Sequence, residues 1–224
     1  MCELPERVAT ERGDPPGTAW PGWAYLPTGP FASEAELTRQ IREYSQTSDP
    51  LFYAVVTKRD IATTTTATTP AGSAVGWISF LSIATAHQSI EIGHVGFSPV
   101  LQRTVAATET FYLMIRHAFE DLGNRRVEWK CDSLNGPSRR AAERLGFQSE
   151  GVFRKHRIVR GRNRDTAWFS IMDEEWYGGG NGEGVVGLKA GFEAWLKEEN
   201  FDENGLQKKT LEQVQTDVAG GGSG

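Results

Sequence analysis

Cysteine is nearly absent, with only Cys2 and Cys131 in 224 residues; that excludes a disulfide framework and a Cys-x-x-Cys metal site and points to a reducing compartment. Long apolar runs are missing too. No stretch approaches the roughly 18 residues of a membrane span, and the start Met1-Cys2-Glu3-Leu4-Pro5 has no apolar leader core, so a cytoplasmic protein without a membrane partner is expected. Nor is there an excess of positive charge: 24 Lys and Arg against 29 Asp and Glu leave a net charge of −5, which removes any general attraction to nucleic acid. What remains is globular, with 38% hydrophobic and 24% charged residues, 7 Trp and 11 Phe. That is material for one large domain with a buried core and too little for two enzymes.

The chain divides by composition. Residues 1–30 are irregular, rich in Gly, Pro and Trp between Gly13 and Pro30, and suit a loop over a site. Ser33 and Glu36 have capping-box spacing, and Ala35, Leu37, Ile41 and Tyr44 follow at near-helical intervals. Leu51 to Thr57, Ala74 to Ile83 and Ser89 to Phe97 read as three antiparallel strands. The polar connection Thr63 to Pro70 reads as a mobile hairpin loop without chemistry. Phe111, Met114, Ile115, Ala118, Phe119 and Leu122 then form a helical stripe closed by Gly123. Arg126 to Asp132 is a strand, Pro137 to Leu145 a short helix, and Phe147 to Val159 and Thr166 to Met172 are strands joined by a turn over Gly161 to Asp165. The order defines a mixed α/β (α+β) domain over 31–176, with an appended helix in 177–201 and a flexible tail in 202–224.

Chemistry concentrates at two places. Between Ser98 and Thr108 a strand gives way through small residues to the long helix, whose first backbone N–H groups favour an anion. The second is Trp129-Lys130-Cys131-Asp132-Ser133-Leu134-Asn135-Gly136-Pro137-Ser138, continuing through Leu145-Gly146-Phe147 to Glu150-Gly151. Together with the order of elements, these strings resemble the GNAT superfamily of N-acetyltransferases, in its Rim-type (ribosomal-protein-alanine) branch, from about Tyr25 to Trp176. Gln102-Arg103-Thr104-Val105-Ala106-Ala107 matches the superfamily's coenzyme loop at its first and last positions, with Val105 where a glycine is usual.

The resemblance implies one mostly antiparallel, twisted sheet, splayed at the coenzyme site and carrying helices on both faces. It implies acetyl-coenzyme A as co-substrate and no metal. The coenzyme would be held by Val95 and Phe97 on the splayed strand, by the loop Gln102, Arg103, Thr104, Val105, Ala106, Ala107 and Thr108, and by Asn135, Ser138 and Arg139. On the residues alone, Thr104 and Asn135 equally suit helix N-caps and Ser138 a first-turn hydroxyl. An amine near pKa 10.4 must lose a proton before it attacks a thioester, which calls for a base. Glu91, His94 and His156 are the candidates. Glu91 and His94, three apart, face opposite sides unless Gly93 marks a bulge. The catalytic set expected is Glu91, His156 and Ser138, the last protonating the departing thiolate. Cys131 reads as a small buried residue.

The segment Arg139 to Arg164 holds nine Lys or Arg and two Asp or Glu, a local charge of +7, suited to coenzyme phosphates. No nucleic-acid-binding motif accompanies it. The expected acceptor is a small-molecule amine or a peptide N-terminus. A cationic acceptor is mildly favoured by the acidic chain, with Trp20, Trp23 and Tyr25 as a wall. The family usually begins with an edge strand that Met1 to Arg12 does not supply in sequence, leaving that edge for the Trp20 to Tyr25 segment or for a second subunit, a possible homodimer. The alternative to an enzyme is a coenzyme-binding homologue without turnover.

Overall fold

The computed structural model describes residues 23, 25–62, 68–179, 186–203 and 205–220. Within them, α1 (Glu34–Tyr44) starts at Ser33, whose hydroxyl accepts the Glu36 N–H, while Glu36 reaches back to the Ala32 N–H. The meander follows as β1 (Leu51–Val56), β4 (Ala74–Ala84) and β5 (Ser89–Phe97), with a small ribbon, β2 (Ile61–Ala62) and β3 (Thr68–Thr69), inserted after β1. Residues 63–67, most of the connection expected to be mobile, lie outside the described set, as do Trp20 and Met1 to Arg12.

Next come α2 (Val105–Arg116), β6 (Arg126–Asp132), α3 (Gly136–Arg144), β7 (Gln148–Val159) and β8 (Arg162–Met172). The six-stranded sheet has the order β1-β4-β5-β6-β8-β7. Every neighbouring pair is antiparallel except β5–β6, which the α2 crossover makes parallel. The mixed fold with a mostly antiparallel sheet is therefore as expected.

Strand alternation gives the sheet two unlike faces. Ile78, Phe80, Ile90, Ile92, Val127, Trp129, Phe169 and Ile171 point to one side and are buried with Phe111 and Ile115 of α2 and Ala142 and Leu145 of α3. The opposite face is polar: Ser79, Glu91, Glu128, Lys130, Trp168 and Ser170 succeed one another across paired strands. On this face α1 sets Tyr44 against Phe52, ring centroids 4.1 Å apart. Leu122, read as part of the α2 stripe, is half exposed because a π-helical turn over His117–Asp121 rotates it out of register.

Two readings of the sequence are corrected. The turn placed at Gly161 to Asp165 is shorter: Arg160 and Gly161 both have positive φ, 49° and 74°, the pattern of a two-residue I′ hairpin. Strand β8 accordingly begins at Arg162, which puts Arg164 in the sheet, alternating onto the polar face with Thr166 and Trp168.

Among the described residues, the tail expected from 202 to be flexible contains a packed helix. After α4 (Asp173–Tyr177) and α5 (Leu188–Trp195), residues Leu211–Gly220 form α6, with Leu211 and Val214 buried. Thr210 and Gln213 make a reciprocal capping box, Gln213 N–H to Thr210 Oγ1 and Thr210 N–H to Gln213 Oε1. The Thr-x-x-Gln spacing and the Leu211, Val214, Val218 seam were legible, but the glycine-rich end outweighed them. These C-terminal helices extend the core through Tyr112, Phe119, Trp176 and Phe192. Leu211→Ala is expected to cost about 2–5 kcal/mol, measured by urea unfolding; an unchanged midpoint would show that α6 does not contribute to the fold.

Candidate active site

Strands β5 and β6 pair only through Ser89, Ile90 and Glu91 opposite Arg126, Val127 and Glu128. Beyond Glu91 they separate, and the edge of β5 facing β6 has no ladder partner from Ile92 to Phe97. Two features drive the divergence. The register of β4–β5 slips between Trp77/Gly96 and Ser79/Gly93, a bulge, and His94 within it has φ 48°. The cleft so formed opens towards the start of α2.

The loop into α2 is closed largely by its own groups. Gln102 Nε2 donates to the Phe97 carbonyl at 2.7 Å, so its side chain holds the turn. Thr104 is the N-cap: its hydroxyl donates to Leu101 O and accepts the Ala107 N–H. The Thr104 amide bonds Leu101 O and the Thr108 amide bonds Thr104 O. Ala107 and Thr108 are buried, and Thr108 Oγ1 accepts from Arg144 Nη2. The anion-binding run expected from Arg103 to Thr108 thereby narrows: among the described residues, the amides of Arg103, Val105 and Ala106 have no protein acceptor. Arg103 adopts φ 62° and Val105 is the first helical residue, so the glycine replaced by valine is not required for this backbone path. Val95 packs against the core, and Phe97 is buried 5.3 Å from Phe111.

On the far side of the cleft, Asn135 is the N-cap of α3, accepting the Ser138 N–H. Among the described residues, nothing accepts from its side-chain amide N–H groups. Ser138 Oγ accepts the Trp129 indole N–H at 3.0 Å. Burial pushes the Cys131 thiol up, against a hydrogen bond from Ser138 that favours the thiolate; this is an inert, packed cysteine. Arg139 keeps a buried Nε without a partner.

The polar face supplies the titratable groups. Glu91 is buried, its Oε2 held by Lys130 Nζ at 2.9 Å and by Ser82 Oγ at 2.9 Å. Lys130 also bonds Glu128 at 2.7 Å and lies 4.2 Å over the Trp168 ring. Glu91 is thus one arm of an ion cluster rather than an open carboxylate.

The bulge brings His94 onto the same face, where it contacts Ser79 and stacks on Phe52 at 5.5 Å. Regular alternation hides this; Gly93 and Gly96 flanking the histidine are the sequence signal for it. Ser79 Oγ donates its proton to Gly93 O at 3.0 Å, so the 3.4 Å contact with His94 has Nδ1–H as donor. Nε2 is then the unprotonated nitrogen. Burial, and after it the Arg164 guanidinium, push the His94 imidazole below its ordinary 6.5, with Asp49 opposing. His156 sits in the β7 bulge between Phe153 and Arg157, 3.0 Å from Thr166 Oγ1. Desolvation, then Arg157, Arg164 and Lys130, lower it as well. It borders an open hollow lined by Phe153, Arg154, Lys155, Asn163 and Asp165. Trp23 packs on Phe31 and Trp77, and Tyr25 donates to Leu134 O.

A mostly antiparallel sheet, one parallel pair that splays past its third residue, and a helix presenting unpaired amides at the mouth of that splay match the GNAT type of fold that the sequence resembles. The comparisons agree. The acetyltransferase (GNAT) domain family matches residues 6–148. A crystal structure of a GCN5-related N-acetyltransferase from Brucella melitensis is 41% identical, covers 87% of this chain and 79% of its own, and superposes with a TM-score of 0.74. Among curated proteins of Bacillus subtilis, YdaF, provisionally named a ribosomal N-acetyltransferase, is 31% identical over 107 residues, 48% of this chain and 58% of YdaF. The uncharacterized N-acetyltransferase YnaD is 31% identical over 103 residues, 46% of this chain and 59% of YnaD. The chain spans just under six-tenths of the length of these curated relatives. It belongs to the GNAT acetyltransferase family. Among the described residues no helix is long and apolar enough to cross a membrane.

Proposed function

We propose that the chain transfers an acetyl group from acetyl-coenzyme A to an amine, a small molecule or a peptide N-terminus, by direct attack. The observation that carries this reading is the splay between β5 and β6, with anion-binding amides at one end and a neutral imidazole on its polar side. The unpaired amides of Arg103, Val105 and Ala106 suit a pyrophosphate, and Arg139, with its orphan Nε, suits a further phosphate. Acetyl-coenzyme A supplies the activated acyl group. His94 Nε2 takes the proton from the acceptor ammonium; its lowered pKa keeps it in the basic form at neutral pH. His94 takes this role in place of Glu91, which Lys130 occupies, while His156 lines the approach. The unladdered N–H groups of β5 face the cleft as donors for a developing oxyanion. Ser138, its oxygen fixed by Trp129, stands as proton donor to the leaving sulfur. The Rim-type resemblance and the name of YdaF support an amine of protein or small-molecule origin.

The test is calorimetric titration with acetyl-coenzyme A, followed by thiol release across a panel of amines. Micromolar binding with release is expected. Absence of binding would remove the coenzyme assignment of Arg103 to Ala106.

A further inference from the structure

Lys130 and Arg126 on the polar face are paired with carboxylates, whereas Arg164 on the same face is not paired with any described residue. It is half-buried on β8, and its Nε is shielded from solvent without a hydrogen-bond partner. Its guanidinium makes no hydrogen bond or ion pair with any described residue. Arg164 stands two residues before Thr166, which pairs with Asp132 at the end of β6, and directly opposite Arg157 of β7; its charge is felt by His94, Cys131 and His156, so it lies beside the splay.

Among the described residues, the carboxylates on these strands and at their ends are bonded elsewhere. Glu91 is paired with Lys130, and Asp49 accepts the Ser82 and Ile83 amides. Asp165 accepts from Lys155 N and Asn163 Nδ2, and Asp132 accepts from Leu134 N. Arg157, directly opposite Arg164 in the β7–β8 ladder, adds a second positive charge. A guanidinium left half-buried among cations and imidazoles, with no counter-ion bonded to it among the described residues, is costly unless something else supplies the anion.

We infer that Arg164 binds a carboxylate carried by the acceptor, so that the substrate amine bears a carboxylate a few bonds from its nitrogen. This rests on the transferase reading and specifies its acceptor. The planar fork of a guanidinium matches a carboxylate with two parallel hydrogen bonds, and His94, held on the same side of the cleft, is placed to meet the amine of the same molecule. The preference runs against a polycationic acceptor, which the net charge of the chain taken as a whole had favoured: around the splay Arg164 and Arg157 would repel it. Two sources share this chemistry, the α-carboxylate of a free amino acid and the side-chain carboxylate of an N-terminal Asp or Glu.

The experiment measures calorimetric binding to the full chain saturated with coenzyme A, and thiol release with acetyl-coenzyme A, in two arms. One compares the free L-amino acids with their amides. The other compares short peptides beginning with Asp or Glu with those beginning with Asn or Gln. In one arm the acid is expected to bind about ten- to hundred-fold tighter than its amide, with the difference in KM rather than kcat. Arg164→Met is expected to erase the difference and Arg164→Lys to keep part of it. Equal affinities for acid and amide in both arms overturn the inference, as does a preference that survives Arg164→Met, or an Arg164→Met loss confined to kcat and equal for both partners. The acid-to-amide comparison in the wild-type protein needs no variant to fold. Failure of the transferase reading is registered separately, by absence of acetyl-coenzyme A binding.

Discussion

His94→Ala is expected to lower kcat/KM by about 10²- to 10⁴-fold, the usual contribution of a positioned general base, with acetyl-coenzyme A binding retained. The expectation follows from the bulge. It turns His94 onto the polar face, and the Ser79 to Gly93 hydrogen bond fixes Nδ1 as the protonated nitrogen. The pH profile supplies an independent readout. Burial and Arg164 hold the imidazole below 6.5; only the neutral form accepts a proton, so activity is full above that value and falls as pH drops through the lowered pKa. The acid limb of kcat/KM is therefore expected below pH 6.5 and is expected to vanish in His94→Ala. His156→Ala and Glu91→Gln are expected to cost less than His94→Ala. If His156→Ala instead removes the acid limb while His94→Ala leaves it, the base is His156.

Lys130→Met is expected to destabilise the fold by about 3–5 kcal/mol, the cost of stranding buried charge when one partner is removed. Lys130 bonds Glu91 at 2.9 Å and Glu128 at 2.7 Å, and the three side chains are 11%, 9% and 15% exposed. Without the ammonium, Glu91 keeps only a serine hydroxyl while Glu128 still has Arg126, and two carboxylates on adjacent strands are left facing each other. The double variant Lys130→Met with Glu91→Gln is expected to recover part of the loss, because it removes the stranded charge; no recovery in a urea midpoint would locate the cost in packing on Trp168 instead.

The same face gives the stability its pH dependence. Burial works to raise the Glu128 carboxyl, and Lys130 and Arg126 more than offset it; the Arg126 hydrogen bonds, with Ser170, hold Glu150 low. Both carboxyls thus titrate below their usual 4.5. Their stabilising contribution is complete above that value and is lost as pH falls through the lowered pKa values.

Much of this was open to reading along the chain, because the signals involved are local. Period-two strands, the Ser33 and Asn135 caps and the stripe of α2 are set by residues three or four apart. Arrangement across the sheet was not readable in that way. A carboxylate between Ile90 and Ile92 is costly to bury unless it is paired or used, and the sequence does not say which for Glu91, because its partner stands 39 residues further on at Lys130. Arg164 reads as part of a turn because one glycine and several polar residues mask where the hairpin tightens, and a strand that starts four residues earlier, at Arg162 rather than Thr166, returns it to the sheet.

The amino-acid sequence by itself determined the order of elements, the buried face and the kind of loop that leads into α2, since each depends on spacing and side-chain type within one element. The tertiary structure alone decided which charges are paired and which are open. Pairing depends on strand register and on a single bulge, and one extra residue at Gly93 to Gly96 is enough to carry His94 from the core side to the polar side of the cleft.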